Sequence, residues 1–317
     1  MTGTEEETCS DPVPVAPVLL FVFNRPQYTQ RVLEAIRRAR PANLLVVADG
    51  PRPNRLGESE NCRQTRDLVL QAVEWAGHVE CNFAPENMGC KARISSGLQW
   101  GFSRFEELIL LEDDCVPIPS FFRYCTELLS HYRHDQRIGM IAGTNYRGVP
   151  QSGSRNSYFA SRHANIWGWA SWRRAYSGYD PDVVTWRRRY HPRDLKDWFA
   201  DWRSAFLHST MFDVARETEI DTWDVGWSYH LACRRMLSLV PDVNLVSNIG
   251  VAGSRGREQD ANNFMPTADL SFPLIHPDHI EPDVCYDRLV ASRHRLFFDW
   301  VRGKWSNRVR RWLRLNT

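Results

Sequence analysis

The sequence predicts an α/β domain with a mostly parallel central sheet flanked by helices. Three observations lead there. Apolar runs without polar alternation, PVLLFVF (17–23) and NLLVV (43–47), fit strands buried on both faces. Amphipathic stretches of helical period lie between such runs. The two kinds of segment alternate through the first half of the chain, which is the pattern of βαβ units.

In NRPQYTQRVLEAIRRAR (24–40), Val32, Leu33 and Ile36 share one helical face, Pro26 suits the first turn, and Asn24 is the expected N-cap. The strand from 43 is broken at Asp49-Gly50-Pro51. Residues 60–76 read as a helix, HVECNF (78–83) as a third strand, and ENMGCKARISSGLQWGF (86–102) as a Gly turn that becomes helical. A fourth strand occupies 107–111. The second half is less regular. RIGMIAGTNY (137–146) is expected to be a strand leaving into a loop, and SRNSYFASRHA (154–164) holds another short one. NIWGWASWRRAYSGYD (165–180) and RDLKDWFADWRSAFLHST (193–210) are expected to be helical, as is DTWDVGWSYHLACRRM (221–236). LSLVPDVNLVSNIG (237–250) gives two short strands about a Pro-Asp turn.

The 317 residues suffice for a substantial core. A formal net charge of +2 gives nucleic-acid binding no support. No apolar run approaches the ~18 residues that span a bilayer. MTGTEEETCSDPVPVAP is acidic and lacks the apolar stretch of a signal peptide, so a disordered tail over 1–16 is expected. The eight cysteines show no CxxC pair and no zinc-ligand spacing. Reduced thiols and a cytoplasmic location are the expectation, with a disulfide among Cys62, Cys81 and Cys90 as the alternative.

The chemistry gathers where strands end. Asn24 and Arg25 follow the first strand, Asp49 the second, and Glu112, Asp113 and Asp114 the fourth. In an open parallel sheet these ends share one edge, where ligands bind. Adjacent carboxylates suit Mg²⁺ or Mn²⁺, which keeps positions open for phosphate oxygens. They equally suit turn solvation and helix capping.

The segments FVFNRP, VVADGPR, ENMGCKARISSGLQW, LILLEDDCVPIPSFF, IWGWASWRRAY and TWDVGW…NLVSNIG, in this order over about 17–285, resemble bacterial glycosyltransferases of the GT-A fold. Some of those are described as hemolysin-activation-like, and they are distantly similar to the N-acetylglucosaminyltransferase I family. The resemblance implies a GT-A nucleotide-diphospho-sugar transferase fold, a UDP- or dTDP-sugar donor, Mn²⁺ or Mg²⁺, and inversion at the anomeric carbon. It implies Asp114 as the metal ligand beside Glu112 and Asp113, and Asp49 as acceptor of the uracil N3–H. Asn24, Arg25 and Arg93 would border the donor, and Asp224 would be the catalytic base. The implied organisation is a catalytic domain over 17–290, with a nucleotide-binding half (17–146) and an acceptor half (147–290), then a basic amphipathic helix over 291–317.

Asp224 also has a local argument. An inverting transfer needs one carboxylate within reach of the acceptor hydroxyl. Trp223 and Trp227 flank Asp224 and can desolvate it or stack on a sugar. Asp221 competes, but is a natural N-cap for its helix. In WGWASW, Trp167 and Trp169 are either sugar platforms or, with Trp172, core filling. The chain departs from the family at VAGSRGRE (251–258), where a histidine is expected and Arg255 and Arg257 stand instead. Arg255 could hold a diphosphate bidentately and weaken metal dependence. His276 and His279 are alternative ligand sources.

In residues 293–317, Phe297, Val301, Trp305, Val309 and Trp312 recur at helical spacing among basic residues. This fits peripheral contact with an anionic membrane, or packing on the chain's own domain. The expected partners are a nucleotide-sugar donor and a hydroxyl acceptor. A sugar-1-phosphate nucleotidyltransferase and a nucleotide-sugar-binding protein without catalysis are the rival readings.

Overall fold

The computed structural model describes residues 14–71, 77–148, 155–199, 201–218, 220–250 and 266–293. Four βα units open the chain. β1 (Val18–Val22) leads to α1 (Pro26–Ala39), β2 (Asn43–Ala48) to α2 (Glu58–Gln71), β3 (His78–Phe83) to α3 (Cys90–Arg104), and β4 (Glu107–Glu112) through the short β5 (Cys115–Pro117) to α4 (Pro119–His131). Then follow β6 (Ile138–Ala142), β7 (Tyr158–Ser161), β8 (Trp169–Trp172), α5 (Arg173–Tyr176), α6 (Pro192–Lys196), α7 (Trp202–Glu217), α8 (Asp224–Arg234), β9 (Leu237–Pro241) and β10 (Val246–Asn248). A final helix, α9, covers 284–293.

The main sheet has eight strands in the order β3-β2-β1-β4-β8-β6-β9-β7, and β10 pairs with β5 apart from it. Four of its seven pairings are parallel. The fold is therefore α/β, a mixed and mostly parallel sheet with helices packed on it. β1 lies between β2 and β4 and is buried along its whole length, which is why its sequence shows no polar alternation.

Direction follows from the register. β8 is antiparallel to both β4 and β6, and β9 is parallel to β6. So β1, β2, β3, β4, β6 and β9 all end at one edge, and β8 begins there.

Several expectations are corrected. WASW is not helical but is β8, at the centre of the sheet, with all four residues buried. Trp169 and Trp172 stand three apart as on a helix face, but a stretch with no polar side needs a strand covered on both faces. The single helix expected over 193–210 is two, because Asp201 caps a new start by accepting from Ser204 N–H at 2.8 Å. Asn24 does not cap α1; Arg25 holds that position and Asn24 turns to Glu58. Ala16 is no tail residue: it is buried, and its N–H donates to Thr126 Oγ1. α9 begins at 284, and Tyr286 and Val290 pack it on Ala142 and Val240; the helix expected over 291–317 lies almost wholly outside the described residues. Cys62, Cys81 and Cys90 are all free thiols. Among the described residues no helix is long and apolar enough to cross a membrane.

Candidate active site

The common edge brings together three of the sequence-predicted carboxylates and one cation. Glu112 closes β4 in register with Phe21 of β1, and Asp113 and Asp114 form the turn into β5. Arg25, just past β1, places Nη1 2.9 Å from Asp114 Oδ2 and 3.6 Å from Asp113 Oδ1. Phe23 N–H donates to Asp113 Oδ2 at 3.3 Å. The crowding of negative charge shows in the acids. Burial pushes Glu112 well above the ordinary carboxylate range, and Asp114, Asp113 and Asp224 push it further. Burial also pushes Asp113 up to about 7, against the pull of Arg25.

Asp224 stands in the first turn of α8, half-buried, near enough for its charge to be felt at Glu112. Thr222 Oγ1 donates to Asp224 Oδ1. Asp221 does not cap its own helix. Its carboxylate spans 130 residues of sequence to accept Lys91 N–H (2.7 Å) and Cys90 N–H (2.9 Å), capping α3 instead. Gly89, at φ +82°, makes the turn beside it. Desolvation first, then the charges of Glu112, Asp221 and Asp224, push the Cys90 thiol up to about 12.

The other predicted contacts have structural engagements. Asp49 accepts from Gly50 N–H, Met88 N–H and Asn87 Nδ2, so three of its lone-pair sites are taken, two of them by the loop before α3. Arg93 is buried and donates to the carbonyls of Ala48 and Asn82, tying the ends of β2 and β3 rather than being free to meet a donor. Trp169, Trp223 and Trp227 are 3, 3 and 0% exposed and pack on one another, with ring centroids 5.7 Å (Trp169–Trp223) and 5.0 Å (Trp169–Trp227) apart. They leave no face for a sugar, so these three are core. Trp167 is half-buried at the edge. His276 is not near Asp114: its Nδ1 lies 2.6 Å from Tyr158 Oη and its ring stacks on His131, at the far end of α4. Arg255 and nearly all of the basic tail lie outside the described residues.

Two residues absent from the sequence-based set support Asp114. Asn248 Nδ2 reaches Asp114 Oδ1 at 3.4 Å, and β10 pairs Asn248 with Cys115. Gly250 passes so close that an added Cβ would lie 2.0 Å from Asp114 Oδ2. Only their place in the quoted NLVSNIG segment hinted at this.

Among the described residues no group of three or more His, Cys, Asp or Glu side chains is arranged to hold a metal. The donor chemistry nonetheless fits a hard divalent cation that takes its remaining oxygens from phosphate and water. Asp114 would hold it, with Asp113 behind.

No known protein family and no curated protein matches the sequence. Among solved structures, the chain is similar to 4-diphosphocytidyl-2C-methyl-D-erythritol synthase from Anaerococcus prevotii DSM 20548, at 8% identity over 77% of this chain and 94% of that one, with a TM-score of 0.37. It is also similar to UDP-glucose pyrophosphorylase complexed with UDP-glucose, at 9% identity over 78% and 98%, with a TM-score of 0.39. Likenesses this distant carry no argument about activity. What the geometry defines is an α/β protein with a cluster of carboxylates and one guanidinium at the carboxyl edge of its parallel strands.

Proposed function

We propose that this edge binds a nucleoside-diphospho-sugar, and that the chain is a GT-A-type inverting glycosyltransferase moving the sugar to a hydroxyl acceptor. The observation that supports this best is the meeting of the Arg25–Asp114 pair with Asp224 at one sheet edge. Arg25 offers a guanidinium to a diphosphate. A bound Mn²⁺ or Mg²⁺ would neutralise charge developing on the leaving diphosphate. Asp224 Oδ1 is held by Thr222, and Oδ2, with no partner among the described residues, is free to take the proton of an acceptor hydroxyl. Asp49 keeps one lone-pair site on Oδ2 for a uracil or thymine imide.

A second reading is nucleotidyl transfer to a sugar 1-phosphate. The basic loop PRPNR (51–55) after β2, bordering a cavity of about 980 Å³ with Glu86 and Asn87, favours it. Its phosphate nucleophile is already ionised, so it gives Asp224 no work as a base.

Thermal stability should be measured with UDP, dTDP, GDP and CDP, each with Mn²⁺ or EDTA. At ~100 times its Kd a ligand stabilises by about 2.7 kcal/mol. UDP-sugars with simple sugar acceptors, and separately UTP with glucose 1-phosphate, then decide the chemistry. UDP release supports glycosyl transfer and pyrophosphate release the second reading. No shift with any nucleotide overturns both.

A further inference from the structure

We propose that Tyr146 and Trp167 form the subsite for the donor's sugar ring, with Tyr286 of α9 as the residue that positions them; this rests on the nucleotide-sugar reading above. The topology places both at the catalytic edge. Tyr146 follows the end of β6, which runs in the same direction as β4. Trp167 precedes β8, which runs against β4 with Trp169 opposite Leu110, so Trp167 lies level with Glu112. Between them, Gly168 packs against Leu111 and Val246.

Both rings are half-buried, whereas Trp169, Trp172, Trp223 and Trp227 are core. Their centroids are 5.7 Å apart at 73°, giving a corner with two aromatic walls. The Tyr146 hydroxyl has no partner among the described residues. Its phenol lies above its ordinary range through enclosure first and the Tyr286 phenol next, with Asp224 adding to the rise. An aromatic wall with one placed hydroxyl suits a pyranose, which offers an apolar face and polar rim.

The corner is held from behind. Gly143 N–H donates to Gly168 C=O at 2.7 Å and Thr144 Oγ1 to Trp167 C=O at 2.6 Å, zipping the two loops. Tyr286 Oη accepts from Tyr146 N–H (3.1 Å) and Asn165 Nδ2 (2.6 Å), one on each loop. Arg293 Nη2 donates to Tyr146 C=O at 3.1 Å. Tyr286 thus ties both loops together from α9.

The test is calorimetric titration, with Mn²⁺ fixed, of UDP, UDP-glucose, UDP-N-acetylglucosamine and dTDP-glucose into wild type, Tyr146→Phe, Trp167→Ala and Tyr286→Phe. The readout is the affinity a sugar adds over its bare nucleotide. Loss of one hydrogen bond should lower that ratio roughly 2- to 10-fold in Tyr146→Phe. Trp167→Ala and Tyr286→Phe should lower it too, all three binding UDP like the wild type. A purely structural role for Tyr286 would weaken UDP and UDP-sugar together. An unchanged ratio in the variants, or no sugar contribution in the wild type, overturns the subsite and leaves the nucleotide reading standing. A wild type that binds no nucleotide overturns both.

Discussion

Arg25 Nη1 sits 2.9 Å from Asp114 Oδ2, so this carboxylate of the acidic edge already has an internal counterion. A guanidinium there competes with any metal for the same oxygen. At this range opposed unit charges interact by about 1–4 kcal/mol in wet surroundings. Arg25→Met should therefore tighten Mn²⁺ binding without nucleotide by about tenfold, and weaken UDP binding in EDTA. Titration of Mn²⁺ followed by its magnetic resonance signal reads the first effect. Unchanged Mn²⁺ affinity would show that Asp114 is not the ligand.

Gly250 leaves no room for a side chain beside Asp114. A methyl group at 2.0 Å from Oδ2 forces the carboxylate aside, at an overpacking cost of about 1–3 kcal/mol. Gly250→Ala should lower Tm and weaken nucleotide binding together. Because the clash is with one side chain, Asp114→Ala should relieve it. In a double-mutant cycle the pair should show stabilising coupling of at least ~1 kcal/mol. Additive penalties would place the strain elsewhere.

Glu58 carries a pH dependence whose sign is determined by its partners. The side chain is 6% exposed and accepts from Arg52 N–H (2.7 Å), the Arg52 guanidinium and Asn24 Nδ2 (2.9 Å). The hydrogen bonds from the Arg52 side chain lead in lowering its pKa below the ordinary 4.5. Stabilisation from this carboxylate is thus complete above about pH 4.5 and lost as pH falls through the lower folded value. Glu58→Gln should cost about 1–2 kcal/mol at pH 7 and flatten the stability curve below pH 4.5. Urea melts at a series of pH values give both numbers. Parallel curves for the two proteins would remove Glu58 from the account.

The tryptophans divide by burial rather than by motif. Trp227 is fully buried against Trp169, Tyr179 and His230. Trp227→Ala should cost about 3–5 kcal/mol in denaturant melts. The half-buried Trp167→Ala should cost less than half as much. Equal costs would place Trp167 in the core.

These contrasts show which parts of the molecule a linear reading could reach. β1, β2 and β4 were legible because strands buried on both faces must be apolar throughout, and the helices between the first strands because helices on a sheet must be amphipathic. The edge carrying Arg25 and Glu112–Asp114 followed from topology alone. β8 was not legible: WASW has neither alternation nor a polar face, and only its neighbours β4 and β6 make it a strand. Asn248, Gly250, Tyr146 and Tyr286 act through contacts far along the chain, so no local pattern marks them. Asp221 was expected to cap a helix and does, but the helix is α3.

Asp221 and Asp224 finally offer a separable pair. Asp221 bonds two backbone N–H groups at the start of α3. Asp224 bonds one hydroxyl and leaves Oδ2 without a partner among the described residues. Loss of a capping acceptor costs about 0.5–2 kcal/mol, so Asp221→Ala should lower stability while keeping measurable turnover of the donor sugar. Asp224→Asn should do the reverse. With no base, turnover should fall by roughly 10²–10⁴-fold, while Tm and UDP affinity stay near those of the wild type. Steady-state UDP release beside a melt of each variant reads both axes. Turnover that survives Asp224→Asn within a few-fold would remove Asp224 as the base, leaving the glycosyl-transfer reading to another carboxylate.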